Sequence, residues 1–456
     1  MTDDASDQRV VPALLRLSPS RAVWTVAWPM VATGLLRSFY ILTDSYWVGH
    51  LGPDALAALG GSAFAWWILA QLTDLPGTGI HSLVAQHEGA GKPEAIPVTT
   101  SQGLWVGIAI SVLLVLLAWP YCHLYFDLLG FDPSGRAYAL GTEFLGVTIL
   151  SAISFALFSV VGAAFRGVGD TRTGMWIALF AAVLNLGLDP LLIWGGGVIP
   201  ALGIAGAAWA TAISNLIGSV VGYVVLVRRG MVLRILKPRL GAIKKITTIG
   251  APVAFAGIGF SLIYVLLGRI INGFGEHHMA ALGVGHRLES LAFMVTIGFM
   301  VGASTMVGQY VGAGDAEGAR RSAQAAAKIC AAIMIPIGAF LFVFAEPLFQ
   351  LFTQDPEIIR SGTVYLRVQT PFMLFMALEI VYEGAFTGTG DTMPTFWVTG
   401  VGTAARIPLA LLLIQEFDLG VEGVWWAIAA TTGVKGLVMM SWFGRGKWER
   451  FVQRPD

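Results

Sequence analysis

The sequence predicts an all-α integral membrane protein: twelve transmembrane helices in two six-helix lobes related as parallel repeats, with a central cleft between them. Three observations predict it. Of 456 residues, 56% are hydrophobic and only 12% are charged, against about 25% charged in a soluble domain. The hydrophobic residues fall in long runs, and roughly 20 of them in a row cross a bilayer. The second half of the chain repeats the first.

The runs come in order at 23–49, 55–85, 99–121, 137–165, 174–195 and 203–227, then at 246–272, 279–308, 322–345, 361–387, 395–415 and 421–443. Before them, residues 1–20 hold Asp3, Asp4, Asp7 and Arg9. A secretory signal wants a basic start and a short apolar run, so residues 1–20 read as a tail and the run from Val23 as a retained span. The two sets divide the chain into an N-lobe (21–227), a linker (228–245), a C-lobe (246–443) and a tail (444–456). The linker carries Arg228, Arg229, Arg234, Lys237, Arg239, Lys244 and Lys245 with no acid among them. Positive loops stay in the cytoplasm. Lys92, Arg166, Arg172, Arg320 and Arg321 fall on the same side, as do Arg445, Lys447, Arg450 and Arg454 of the tail. The opposite loops hold Arg136 and Arg360 beside Asp127, Glu276, Asp355 and Asp418. Both termini are therefore expected in the cytoplasm.

One constant offset places Pro29 on Pro252, Gly34 on Gly257, Gly52 on Gly275, Gln86 on Gln309 and the Gly89–Gly91 triplet on Gly312–Gly314. Gly169-Asp170-Thr171 recurs as Gly390-Asp391-Thr392. Six spans per half is an even number, so both halves insert the same way up. A parallel repeat of this kind puts the substrate path in the cleft between halves and favours alternating access over a pore.

Other classes find little support. The net charge is zero, so no charge field points to nucleic acid. Cys122 and Cys330 have no disulfide or metal-ligand pattern. No His-Glu-x-x-His or Gly-x-Ser-x-Gly motif occurs, so no enzyme is expected. Gly195-Gly196-Gly197 lacks the ending of a phosphate loop and reads as an outer turn. No cofactor is expected. His277-His278 reads as a solvated outer-loop pair, and Asp170 and Asp391 as caps for the helices that follow them.

Charge at bilayer depth is costly and defaults to a functional reading. Asp44 lies in the first span, Asn185 and Asp189 lie four apart on one face of the fifth, and Thr211 lies in the sixth. All offer oxygen, which suits a hard cation such as sodium. Two close carboxylates can alternatively share a proton. The bland alternative pairs Asp44 and Asp189 with Arg37 or polar neighbours. In the second half the matching positions are Leu267, Arg406, Ala410 and Ile428. The scaffold is repeated and the oxygen cluster is not, which marks the cluster as specialised. The second half has its own charges in Arg269, Arg287, Glu289, Glu379, Glu383 and Arg406. Its three acids form a competing site, but the arginines are expected to neutralise them.

The run Leu42-Thr43-Asp44-Ser45-Tyr46-Trp47-Val48-Gly49-His50-Leu51-Gly52, with Pro29, Arg166–Thr171, Asn185–Pro190 and Gly206–Thr211, resembles the multidrug and toxic compound extrusion (MATE) family. The acid cluster in the first half is similar to its DinF-like branch. The resemblance spans about Arg21 to Trp442. It implies a twelve-helix antiporter that exports organic cations and amphipathic compounds against inward sodium or protons. It further implies that Asp44, Asn185, Asp189 and Thr211 form the cation site (sodium ligands if sodium is the ion), that Tyr40 adjoins it, and that Pro29 lets the first helix bend. Small organic substrates and membrane lipid are the expected partners, and a monomer the expected state. Arg37, two turns before Asp44, departs from the family pattern and is a candidate modulator, as is Asp74 in the second span. The competing readings are a flippase for a lipid-linked precursor, of the same superfamily, and an uncoupled channel or membrane scaffold.

Overall fold

The structure is a computed structural model describing residues 12–197, 199–233 and 237–452. Asp3, Asp4, Asp7, Arg9, Arg234 and Arg454 of the charge pattern lie outside the described residues. Eleven helices are long and apolar enough to cross a membrane, and one bent pair brings the number to twelve. The N-lobe has α1 (Pro19–Gly49), α2 (Pro53–Gly89), α3 (Ala95–Leu128), the pair α4 (Arg136–Leu150) and α5 (Ala152–Gly167), α6 (Thr171–Trp194) and α7 (Gly203–Arg228). The C-lobe has α8 (Leu240–Asn272), α9 (Glu276–Gly312), α10 (Ala316–Val343), α11 (Pro356–Thr389), α12 (Met393–Gln415) and α13 (Glu422–Gly444). α4 and α5 meet at 46° and together form the fourth span.

The repeat is visible in the backbone. Gly52 before α2 has φ +109° and Gly275 before α9 has φ +126°, a region that only glycine enters readily. Proline opens α1, α2 and α11, where its missing N–H costs nothing. Pro29 and Pro252 sit at matching places inside α1 and α8.

Three local expectations are corrected. The linker is shorter than 228–245, because α8 begins at Leu240. Lys244 and Lys245 point outward there, while Ile243 and Ile246 pack with Ile80 and Val84, so an amphipathic first turn hides under the basic run. The linker proper is tied to α3: Leu233 N donates to Ser101 Oγ (2.9 Å) and Arg239 N to Gln102 Oε1 (2.7 Å). Asp170 caps α6 through Thr173 N at 3.1 Å and also pairs with Arg229. Asp391 caps nothing: the residue three further on is Pro394, which has no N–H to give, and Asp391 pairs with Arg450 at 3.3 Å instead. His277 and His278 lie in the first turn of α9, half-buried, with His278 Nδ1 2.7 Å from Ser361 Oγ.

The lobes meet closely at their basic ends. Gln86 on α2 donates to Gly388 O across the interface at 3.0 Å. Its repeat partner Gln309 on α9 donates to Gly167 O at 3.2 Å. His81 reaches Thr305 Oγ1 at 2.9 Å, and Thr305 donates to Arg166 O at 3.0 Å. Gly89 and Gly312 let the backbones touch: a Cβ on Gly89 would lie 1.8 Å from Gln309 O, and one on Gly312 1.9 Å from Gln86 O. Trp67 to Gly257 O, at 3.3 Å, is the last cross-lobe side-chain hydrogen bond along α2 toward its start, among the described residues. A two-fold seal therefore closes the cleft at the end bearing Lys92, Arg172 and Arg320.

Candidate ion-binding site

The expected N-lobe cluster is assembled. α1 carries Tyr40 and Asp44 four residues apart on one face, and α6 carries Asn185 and Asp189 at the same spacing. Asn185 and Asp189 are fully buried. Asn185 Nδ2 donates to Asp189 Oδ1 at 3.3 Å. Asp44 lies close enough to Asp189 and Tyr40 to interact electrostatically with both. The Tyr40 hydroxyl is 2.6 Å from Thr211 Oγ1, and Thr211 donates its own proton to Ala207 O at 3.1 Å on α7. Three helices thus aim five oxygen-bearing side chains at one place. Two carboxylates at that range need a proton or a cation between them. Three side-chain oxygens, Asp44 Oδ1, Asn185 Oδ1 and Asp189 Oδ2, are buried with no hydrogen-bond partner. Orphaned buried acceptors are expensive, and a cation or a proton is what would satisfy them.

The bland alternative fails on Arg37. Its side chain is exposed and lies over the Trp66 ring, 5.4 Å from the centroid. Among the described residues it forms no ion pair with Asp44 or Asp189. Asp74 takes hydrogen bonds from Ser159 and, at 3.4 Å, from Thr78 rather than joining the cluster. Pro29 sits inside α1, with the Thr33 hydroxyl bonded back to its carbonyl at 2.8 Å; it leaves α1 short of one backbone hydrogen bond. An aromatic group that sequence reasoning passed over adjoins the site. Trp47, one turn past Asp44, meets Trp194 edge-on at 5.3 Å, and Tyr46 meets His50 at 4.6 Å. The signal was the i, i+3 step from Asp44 to Trp47.

Of the competing C-lobe acids only Glu379 has a basic partner among the described residues; Glu383, four residues on, is half-buried without an ion pair there. Glu379 pairs with Lys435, a residue absent from the sequence argument, at 2.8 Å. Lys435 stands in an apolar stretch of α13 with no other basic residue from Val421 to Phe443, a signal that was readable. Glu289 accepts from the Tyr365 hydroxyl at 2.9 Å. Arg269 and Arg287 are exposed and pair with none of the three acids among the described residues. No group of three metal-ligating side chains that could hold a metal ion occurs among the described residues.

Comparison with known proteins agrees with this architecture. The family model MatE matches residues 29–191 and again residues 252–412, one match per lobe. A curated relative from Thermotoga maritima, a probable multidrug resistance protein NorM, is 28% identical over 429 residues, covering 93% of this chain and 92% of its own length. A relative from Shewanella oneidensis named a FAD transporter is 25% identical, covering 87% of this chain and 88% of its own. A solved MOP superfamily transporter from Pyrococcus furiosus, described by the reverse polarity of its binding pocket, superposes with a TM-score of 0.89 at 25% identity, over 97% of this chain and 98% of that one. Two lobes, each matched by the same family model, make this chain a multi-pass membrane transporter of the MATE family.

Proposed function

We propose that the protein is a cation-coupled antiporter that exports amphipathic organic compounds, chiefly organic cations, by alternating access. The coupling ion, sodium or a proton, binds at Asp44, Asn185, Asp189 and Thr211, with Tyr40 beside them. One observation carries the reading: a carboxylate pair in one lobe, without a basic partner among the described residues, in a cluster with three orphaned buried oxygens. An oxygen-only set suits sodium, and the acid pair suits a proton.

The reading gives each part a task. With the basic end in the cytoplasm, the cross-lobe bonds of Gln86 and Gln309 close the inner side. A cation entering from outside occupies the acid cluster, and α1, weakened at Pro29, shifts to displace the drug. Release of the cation inside then requires the seal to open. Such exchange needs ion and drug to stabilise different states or to exclude one another. The multidrug name of the Thermotoga relative supports this substrate class. The test is uphill efflux of a fluorescent organic cation from proteoliposomes, with a sodium gradient and a pH gradient imposed separately. Efflux under one gradient alone supports the proposal and names the ion. Downhill leak under both, with no accumulation, refutes coupling.

A further inference from the structure

The C-lobe contains a buried cation with no anion. Arg406 on α12 is only 3% exposed, yet all three of its hydrogen bonds go to neutral hydroxyls. Nε donates to Thr431 Oγ1 at 3.1 Å, one terminal nitrogen to Tyr264 Oη at 2.9 Å and the other to Thr432 Oγ1 at 3.0 Å. Thr431 and Thr432 spend their own protons on Ala427 O (2.7 Å) and Ile428 O (2.9 Å), so both are fixed as acceptors. A guanidinium has five N–H donors; three are held and two remain. The acids around it are engaged elsewhere, Glu379 by Lys435 at 2.8 Å and Glu289 by Tyr365 at 2.9 Å. Among the described residues no carboxylate oxygen lies within ion-pair distance of Arg406. An arginine kept only for structure at this depth would be expected to face a carboxylate.

The surroundings are aromatic. The guanidinium lies 5.7 Å from the Phe260 ring centre and 5.3 Å from that of Tyr264. Phe260, Tyr264 and His286 form a chain of rings, spaced 4.6 Å and 5.3 Å. All three are half-buried, Phe260 and Tyr264 on α8 and His286 on α9, while Arg406 beside them is buried. α12 departs from α-helical geometry at Phe396–Val401, just before Arg406, and π-helical turns gather at functional positions. The repeat places Arg406 where the N-lobe has Asn185. The C-lobe therefore holds a cation where the N-lobe has a neutral amide of its acid cluster.

We infer that the C-lobe holds a substrate subsite in which Arg406 receives the oxyanion of a flat aromatic compound, whose rings lie against Phe260, Tyr264 and His286. The inference rests on the transport reading above and widens its substrate class: aromatic zwitterions and anions are accepted as well as cations. Planar fork geometry makes arginine suited to carboxylate, sulfonate and phosphate alike.

The test uses two probes that differ by one charge, an aminoxanthene dye with a free benzoate and the same dye as its methyl ester. Binding to the purified full-length protein is followed by fluorescence anisotropy, and uphill efflux is followed in proteoliposomes. The wild type should bind the benzoate more tightly than the ester. Arg406→Gln should weaken benzoate binding by about tenfold to a hundredfold, the loss expected for hydrogen bonds to a charged group, and leave the ester unchanged. Arg406→Lys keeps a cation and loses the fork; it should lose at least about threefold of the benzoate preference, and it decides the matter if the glutamine variant fails to fold. No benzoate preference in the wild type, or equal effects on both dyes, overturns the inference. Failure of uphill ester efflux in the wild type counts against coupled export alone, because anisotropy reads the subsite without transport.

Discussion

Gly89→Ala should unlock the basic end of the cleft. The added methyl would sit 1.8 Å from Gln309 O, where ordinary contact begins at 3.4 Å. The obstacle is backbone, so α2 and α9 must separate by more than an ångström at their crossing. The hydrogen bonds of Gln86 and Gln309, 3.0 and 3.2 Å long, cannot both survive that shift. Overpacking costs about 1–3 kcal/mol, and one factor of ten is about 1.4 kcal/mol. The sealed conformation should therefore lose about fivefold to a hundredfold in population relative to an opened one. The assay is the labelling rate of a cysteine placed at Ser82, which lies in the seal, in a background with Cys122 and Cys330 replaced. Gly187→Ala, where a Cβ meets nothing within 4 Å, is the control. Faster labelling in Gly89→Ala, matched by Gly312→Ala and absent in the control, is the expected result. An unchanged rate in both seal variants refutes the assignment of this contact as a gate.

Other expectations follow from the same geometry. Lys435→Met leaves Glu379 buried without its partner at 2.8 Å, and should cost about 3–5 kcal/mol; a thermal melt in detergent should drop sharply and recover when Glu379→Leu is added. Tyr40→Phe removes the hydroxyl 2.6 Å from Thr211 and should raise the ion concentration for half-maximal efflux by about tenfold; an unaltered value would detach Tyr40 from the site. Asp170→Ala removes a helix cap and should cost about 1 kcal/mol. Burial pushes the Asp170 carboxyl up, but hydrogen bonds from Thr173 and Arg229 outweigh it and hold it below the ordinary value of 3.8. A lowered folded value means the carboxylate stabilises above pH 3.8 and loses that contribution as pH falls through the folded value. The melting gap between wild type and Asp170→Ala should therefore narrow only below about pH 3.8, and a gap that narrows between pH 5 and 7 would contradict this.

The fold was legible because bilayer spans and a duplication leave long-range marks on a sequence. That Asp44, Asn185 and Asp189 would gather was legible for a different reason: they are polar residues inside apolar spans, so few readings compete. What stayed hidden depended on which faces meet. Lys435 was visible as a lone cation in α13, but that it meets Glu379 rather than leaving it to an arginine depends on how α11 packs on α13. Asp391 shows the limit of repeat logic, since one proline three residues on removes the N–H that Asp170 caps in the other half. Gln86 and Gln309 were visible as a repeated pair, but not as a seal. That role needs the contact of Gly89 with Gln309 and of Gly312 with Gln86, which no single helix contains.

Coupling through Asp44 and Asp189 can be separated from coupling through the C-lobe acids. The most direct measurement is gradient-driven uphill efflux in proteoliposomes of Asp44→Asn beside Glu383→Gln, with dye binding to each purified variant. The account predicts that Asp44→Asn binds dye and never concentrates it, while Glu383→Gln still does so under the coupling gradient. Uphill efflux by Asp44→Asn, or its loss in Glu383→Gln alone, would contradict the account and move the coupling site to the C-lobe.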